Sequence, residues 1–241
     1  MKIEKRICEK HGEFDCTVMD EPFPLASECP QCLAEFEASE ARERETISTA
    51  ADIERWKAMN IPPLYYNSTL ENFNAYTPEL ENAVVKVNGL VTSKYQNIVM
   101  AGNHGNGKTH LACAALKIIG GSIYTIYEIS CMIRESYTAR GEKSELEIVK
   151  GLADSPLLVI DEVGRSKGSS SEVDWLSYII DRSHSQGNRL IIISNAHVIA
   201  DCKSGGCPMC FENYFEDDVL SRFQEHGSMI RFKGEDYRAR H

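Results

Sequence analysis

An open, doubly wound α/β fold is what this sequence predicts, and three observations predict it: short apolar runs rich in β-branched residues, helix-prone segments alternating with them, and a glycine-rich turn joining the first run to the first such helix. Of the 241 residues, 42% are hydrophobic, ample for one full α/β core plus a small appendage.

Taken in order, residues 1–32 carry cysteine and histidine among the turn-formers Gly12, Pro22, Pro24 and Pro30. Residues 33–60 are charged and helix-prone, with Leu33, Phe36, Ile53, Trp56 and Met59 as apolar positions. Tandem prolines in Ile61-Pro62-Pro63 cannot continue a helix, so a first domain is expected over residues 1–60 and a second over 61–241. Within the second, Asn97–Ala101, Ser122–Ile126, Leu157–Ile160 and Leu190–Ile193 read as buried strands, because their runs are apolar throughout rather than alternating. Thr109–Ile119, Ile129–Arg140 and Val173–Ser185 read as helices between them, which makes the sheet mainly parallel and sets it between helices.

The formal charge of −10 argues against a protein that coats duplex DNA, since that binding depends on lysine and arginine displacing counterions. Residues 1–60 hold 8 Lys and Arg against 14 Asp and Glu, so much of the acidity sits there, as a solubilising face or as a surface for a protein partner. No run approaches the roughly 18 apolar residues of a membrane span, and the N-terminus, with Glu4, Glu9 and Glu13, lacks the apolar core of a signal peptide. No membrane partner is expected, and the expected address is the cytoplasm. Nine cysteines, odd in number and clustered, fit metal binding in a reducing compartment better than a disulfide scaffold; Cys113 and Cys131, in apolar surroundings, read as core thiols.

After the strand Asn97–Ala101 comes Gly102-Asn103-His104-Gly105-Asn106-Gly107-Lys108-Thr109, the phosphate-loop pattern G-x-x-x-x-G-K-[ST] in its strand-to-helix context. Glycines let the backbone curl so that N–H groups face an anion, Lys108 reaches the terminal phosphates of ATP, and the Thr109 hydroxyl can ligate Mg2+. His110, next in line, is counted with the nucleotide-binding residues. Leu157-Leu158-Val159-Ile160-Asp161-Glu162 is an apolar strand ending in two carboxylates at the sheet edge where ligands bind. Asp161 suits the magnesium ion and Glu162 the attacking water. Ser194-Asn195 follows the strand Leu190–Ile193, placing the Asn195 amide to position that water or sense the γ-phosphate. Hydrolysis of ATP is therefore expected.

Cys8-x-x-His11 and Cys29-Pro30-Gln31-Cys32 form two knuckles at zinc-ligand spacing, and four protein ligands make the site structural. Cys16 is an alternative to His11. Farther on, Cys202-x4-Cys207-x2-Cys210 lacks a fourth ligand by spacing; His197 or a residue from elsewhere would complete it for a second zinc, which would stiffen the stretch leading to Arg222, unless the thiols are redox-active or inert.

The order of phosphate loop, Asp161-Glu162 strand and Asn195 strand, with Asp218-Val219-Leu220-Ser221-Arg222-Phe223 and Asp236-Tyr237-Arg238 near the end, resembles the DnaC-type helicase loaders of the AAA+ superfamily over roughly residues 55–241. The lead-in Trp56 to Phe73, with Ile61-Pro62-Pro63-Leu64 and Leu70-Glu71-Asn72-Phe73, is similar too. The resemblance implies an AAA+ ATPase that self-associates, with ATP between protomers, Arg222 as the arginine finger and Arg238 as the second sensor. It implies a helical element at Ile129–Arg140 facing single-stranded DNA, with Tyr137 stacking on a base and Arg134 and Arg140 meeting phosphates; an ordinary amphipathic helix with Met132, Ile133 and Tyr137 in the core is the alternative. The loop Arg165–Ser171 is a weaker candidate. Some such loaders carry an N-terminal zinc module that grips a replicative hexameric helicase, the role expected of residues 1–60. The main expectation is thus an ATP-dependent loader of that helicase onto single-stranded DNA. Its rivals are a transposition-helper ATPase of the IstB-like kind, which acts on duplex DNA and a transposase, and a zinc-bearing, nucleotide-switched scaffold.

Overall fold

The computed structural model describes residues 2–19, 25–138, 142–164, 170–215, 220–221, 225 and 227–233, with residues 2, 19, 25–26, 38–48 and 170 as backbone only. The chain divides into two compact units, Met1–Arg55 and Trp56–His241. The division falls a few residues before the Ile61-Pro62-Pro63 boundary expected from the prolines, inside the long helix that precedes it.

In the first unit, strands β1 (Lys2–Cys8) and β2 (Gly12–Met19) form an antiparallel hairpin with Cys8 opposite Gly12, and β3 (Leu25–Ala26) adds to β2. Helix α1 (Pro30–Ala58) then begins on a proline, whose missing N–H costs nothing at a helix start.

The second unit is a five-stranded parallel sheet in the order β5-β6-β7-β4-β8. Its strands are β4 (Asn97–Gly102), β5 (Ser122–Thr125), β6 (Leu157–Val163), β7 (Arg189–Ser194) and β8 (Gly227–Phe232). The period of two along a strand sorts each apolar run onto both faces. Val99, Leu158, Ile160, Leu190 and Ile192 point to one face, packed by α4 (Ile126–Ser136), α5 (Glu145–Ala153) and α6 (Ser170–Gln186). Ile98, Met100, Val159, Ile191 and Ile193 point to the other, packed by α2 (Pro78–Val91) and α3 (Lys108–Ile119). The doubly wound sheet between helices is thus the observed architecture, and Cys113 is fully buried in it as expected, whereas Cys131 is only half-buried.

Two expected boundaries move for one local reason. The Thr125 side chain accepts the Glu128 N–H while the Glu128 carboxylate accepts from the Thr125 N–H, a reciprocal cap that starts a helix at Ile126. Ile126 therefore leaves the expected strand, and the helix expected over Ile129–Arg140 runs Ile126–Ser136. The same device, Ser144 with Glu147, opens α5. Among the described residues, no helix is long and apolar enough to cross a membrane.

Leu158, wholly buried on the interior strand β6, and Leu146, half-exposed on α5, test this account. Leu158→Ala is expected to cost about 2–5 kcal/mol of unfolding free energy, read as a lower denaturant midpoint at unchanged slope. Leu146→Ala should stay within about 0.5 kcal/mol of the parent.

Candidate functional site

Because β4, β6 and β7 are parallel, Gly102, Asp161 and Ser194 reach the same sheet edge, where a cleft of about 860 Å3 opens. The turn from β4 to α3 is the expected phosphate loop, and its curl is locked from two sides. Gly107, at φ +87°, packs so closely that a Cβ would stand 2.4 Å from Phe73 Cε2, and a Cβ on Gly102 would stand 2.2 Å from the Phe232 carbonyl oxygen. That oxygen also accepts the Asn103 N–H at 3.3 Å and Asn106 Nδ2 at 3.2 Å. Asn106, 3% exposed, thus shapes the loop, while His104, Gly105, Gly107, Lys108 and Thr109 line the cleft.

The Lys108 ammonium, 4% exposed as a residue, donates to the Gly102 carbonyl at 2.9 Å, to the Asn103 carbonyl and to Asn106 Oδ1 at 3.2 Å. Thr109 Oγ1 donates to Asp161 Oδ2 at 2.8 Å, and the Glu162 N–H donates to Asp161 Oδ1 at 2.7 Å. Burial pushes the Asp161 carboxyl above the ordinary carboxylate range, against the pull of those two donors. An oxygen-lined position between Thr109 and a buried carboxylate suits a hard divalent cation, whose charge would restore the ionised form.

Glu162 adopts φ +63°, a left-handed conformation costing a glutamate on the order of 1–3 kcal/mol. It lies where the β6–β7 register slips between Ile160 and Val163, so the strand continues past Ile160 with an interruption. Glu162 and Asn195 both line the cleft. Next to Asn195, the Ser194 hydroxyl donates to the Val163 carbonyl at 2.6 Å and accepts the Ala196 N–H at 3.1 Å, tying the ends of β6 and β7 together. Arg222, Arg238 and Arg140 lie outside the described residues, as do residues 165–169 of the loop after β6.

One wall of the cleft was not legible as a site. Ile61 to Tyr66 line it, with Pro63–Tyr65 as a 3-10 turn. Lys117 Nζ donates to the Tyr66 carbonyl at 2.8 Å and sits 4.7 Å over the Trp56 ring, and His110 Nε2 lies 2.9 Å from the Thr69 carbonyl. Such a wall works by shape, so no residue pattern announces it. The available hint was the aromatic pair Tyr65-Tyr66, one residue beyond the tandem prolines.

On α4, Ile129 and Ile133 face the core and Met132 packs against it, while Tyr137, at the C-cap, is 68% exposed; of the alternative reading, Tyr137 does not belong to the core. Its hydroxyl bonds to Glu145. Arg134 lies 5.7 Å from the ring of Tyr127, itself 67% exposed and about two helical turns away on the same side. Tyr127 adds an exposed aromatic that the sequence reading passed over.

Cys8, His11, Cys29 and Cys32 bring their ligand atoms within 4.8 Å of one another. Zinc–ligand bonds of about 2.3 Å to sulfur and about 2.0 Å to nitrogen in a tetrahedron imply edges of about 3.8 Å between sulfurs and about 3.5 Å from sulfur to nitrogen. Observed are 3.5 Å for Cys8–Cys32 and 3.3 to 3.7 Å from the three sulfurs to His11 Nδ1. Backbone N–H groups of Lys10 and His11 pull the Cys8 thiol down to about 6, toward the thiolate that binds metal. His11 Nε2 meets Glu35 Oε1 at 3.2 Å, the outer carboxylate that orients a ligating imidazole. Cys16 stands apart, its thiol donating to the Ser27 carbonyl at 3.3 Å. A second group, His197, Cys202, Cys207 and Cys210, also lies within 4.8 Å.

A family model described as IstB-like ATP binding protein matches residues 41–241. The replicative helicase loader DnaC of Escherichia coli (strain K12) is 30% identical over 146 residues, which cover 57% of this chain and 59% of that protein, so the chain matches well under two thirds of that relative's length. The insertion sequence IS21 putative ATP-binding protein of Pseudomonas aeruginosa is 25% identical over 175 residues, 70% of this chain and 64% of that protein. Among solved structures, a crystal structure of the DnaC helicase loader superposes with a TM-score of 0.57 at 21% identity over 71% of this chain and 100% of the other. The replication initiator DnaA bound to AMPPCP and single-stranded DNA gives 0.56 at 21% identity over 72% and 51%. These superpositions place the second unit in the AAA+ P-loop fold.

The Glu35 contact yields a direct test of the first cysteine–histidine group. Glu35→Ala should weaken zinc retention about 10–100-fold in competition with a chromophoric chelator. Cys16→Ser should leave it unchanged.

Proposed function

The chain belongs to the family of IstB-like ATP binding proteins, and from that premise we propose that it is an ATP-hydrolysing loader of a replicative hexameric helicase onto single-stranded DNA. The observation that carries the reading is the meeting of Lys108, Thr109, Asp161, Glu162 and Asn195 in one cleft at the edge of a parallel sheet. A protein relative named replicative helicase loader supports the cellular role.

In this reading the nucleotide's phosphates enter the curl of the loop, and Lys108 exchanges the carbonyls of Gly102 and Asn103 for phosphate oxygens. Thr109 and Asp161 would hold Mg2+, which supplies charge neutralisation on the triphosphate. Glu162 accepts the proton of the attacking water, and the Asn195 amide holds that water in line. Arg222 from a neighbouring subunit and Arg238 from the same one are proposed to complete the site on self-association. Tyr127, Arg134, Tyr137 and Arg140 are the proposed contacts to single-stranded DNA, with stacking rings beside guanidinium groups. Cys8, His11, Cys29 and Cys32 would hold a structural zinc. Without it, so short a segment has too small a core to fold. That unit exposes Ile3, Ile7, Leu33 and Phe36, apolar side chains suited to gripping the helicase.

A second reading, an ATPase that assists a transposase on duplex DNA, is favoured by the IS21 relative. The two separate on the polymer and partner that stimulate turnover.

Glu162→Gln is expected to keep nucleotide affinity and lose on the order of 10²–10⁴-fold in kcat, and Lys108→Ala to lose binding itself. Unchanged turnover in either variant would overturn the catalytic assignment, and binding without any turnover in the parent would point to the scaffold reading. With the full chain, single strands rather than duplex should stimulate hydrolysis, and a hexameric replicative helicase should be captured and placed on a closed single-stranded circle. Stimulation by duplex and a transposase alone would transfer the chain to the second reading.

A further inference from the structure

After Asn195, residues 196–215 form a stretch that the nucleotide site does not use, and its chemistry is concentrated in four side chains. By spacing, Cys202, Cys207 and Cys210 lacked a fourth partner. The fold supplies it from the turn just after Asn195: His197 points Nε2 at Cys207 Sγ, 3.3 Å away, and Cys207 Sγ lies 3.9 Å from Cys210 Sγ. These separations approach the tetrahedral edges of about 3.5 and about 3.8 Å expected for zinc, and all four ligand atoms fall within 4.8 Å. A disulfide needs sulfurs about 2.05 Å apart, and every cysteine here is a free thiol.

The backbone around the group is arranged as a metal knuckle. The Cys207 N–H donates to Cys210 Sγ at 3.3 Å, and the Cys210 N–H returns to the Cys207 carbonyl at 3.0 Å. On the other side, Ser204 Oγ lies 3.2 Å from Cys202 Sγ. The stretch has no strand or α-helix between Ser194 and Phe215 among the described residues, only two short 3-10 turns. Its few buried side chains are Val198, Cys210, Phe211 and Phe215. A segment so thinly packed gains fixed geometry from a cross-link more than from its own core.

We propose that His197, Cys202, Cys207 and Cys210 bind a second, structural zinc ion. Four protein ligands leave no position for water, so the ion carries no hydrolytic chemistry. On binding, the three thiols give up their protons to solvent and His197 coordinates through neutral Nε2. The ion closes a loop whose ends are already joined by the Phe211 N–H on the His197 carbonyl, 2.9 Å, and by the Glu212 carboxylate on the Ile199 N–H, 2.9 Å. Asp201, beside the first cysteine, pairs with Lys233 at 2.6 Å and Arg231 at 3.7 Å, at the end of β8. The zinc thus fixes the stretch that follows β7, which Asp201 ties to the end of β8, the strand that anchors the phosphate loop. The proposal does not depend on what the cleft binds.

Metal content of the purified full chain, measured by mass spectrometry after gel filtration, decides the matter. Two zinc ions per chain are expected. Cys8→Ser with Cys32→Ser should retain one, and cobalt in its place should show thiolate charge-transfer bands and the intense visible bands of a tetrahedral site. Cys207→Ser with Cys210→Ser should likewise retain one, with loss of the cobalt signature when all four substitutions are combined. A single zinc in the parent, removed entirely by the Cys8 and Cys32 substitutions, would overturn the proposal, as would a Cys207–Cys210 disulfide in protein purified under reducing conditions. If the Cys207 and Cys210 variant does not fold, the parent count and the Cys8 and Cys32 variant still decide.

Discussion

The second unit depends on one carbonyl oxygen, that of Phe232. A phosphate loop must hold its N–H groups away from its own chain, which leaves it without the ladder bonds that fix ordinary structure. Here β8 lies parallel to β4 and places the Phe232 oxygen under the loop, where it accepts from Asn103 and Asn106 and leaves no room for a side chain on Gly102. The Phe73 ring closes the other side against Gly107. The curl is therefore imposed by elements more than a hundred residues away in sequence on one side and over thirty on the other, and it exists before any anion arrives.

The polar groups at the cleft follow the same logic of being satisfied in advance. Lys108 is buried against carbonyl oxygens, and Thr109 is already bonded to Asp161. Buried charges left without partners are costly, so each partner now in place keeps the ligand-free protein folded. An incoming phosphate or cation competes for groups that are oriented but occupied, and the free energy of binding is the difference between two sets of contacts. Asp161, held partly toward its neutral form by burial, is the group that gains most from a cation.

Much of this was legible in the sequence because the relevant signals are local. Four apolar runs identified four of the five parallel strands, and the loop pattern with the Asp161-Glu162 pair identified residues that the structure brings to one cleft. β8 escaped because Ser228 and Arg231 interrupt its apolar run at the sheet edge. Helices α2 and α5 escaped although each carries a written start: Thr77 before Pro78, and Ser144 three residues before Glu147. The roles of Phe232 and Phe73 were not legible at all, since each is one apolar residue among many and only the closed fold sets it against a glycine. The choice between His11 and Cys16 was also one of folding. Strand β2 carries Cys16 away from the knuckle, while the turn before it turns His11 inward.

Glu162 is the position at which stability and chemistry separate. Its left-handed backbone is one that glycine adopts freely, so the chain accepts a local cost in order to keep a carboxylate there. A glycine at this site would relax the turn, and under the proposed role of Glu162 such a change would yield a sturdier molecule that folds and holds nucleotide without turning it over. Descendants that lost the acid would keep the parent's shape and exceed its thermal resistance, so neither property would reveal the loss as a defect.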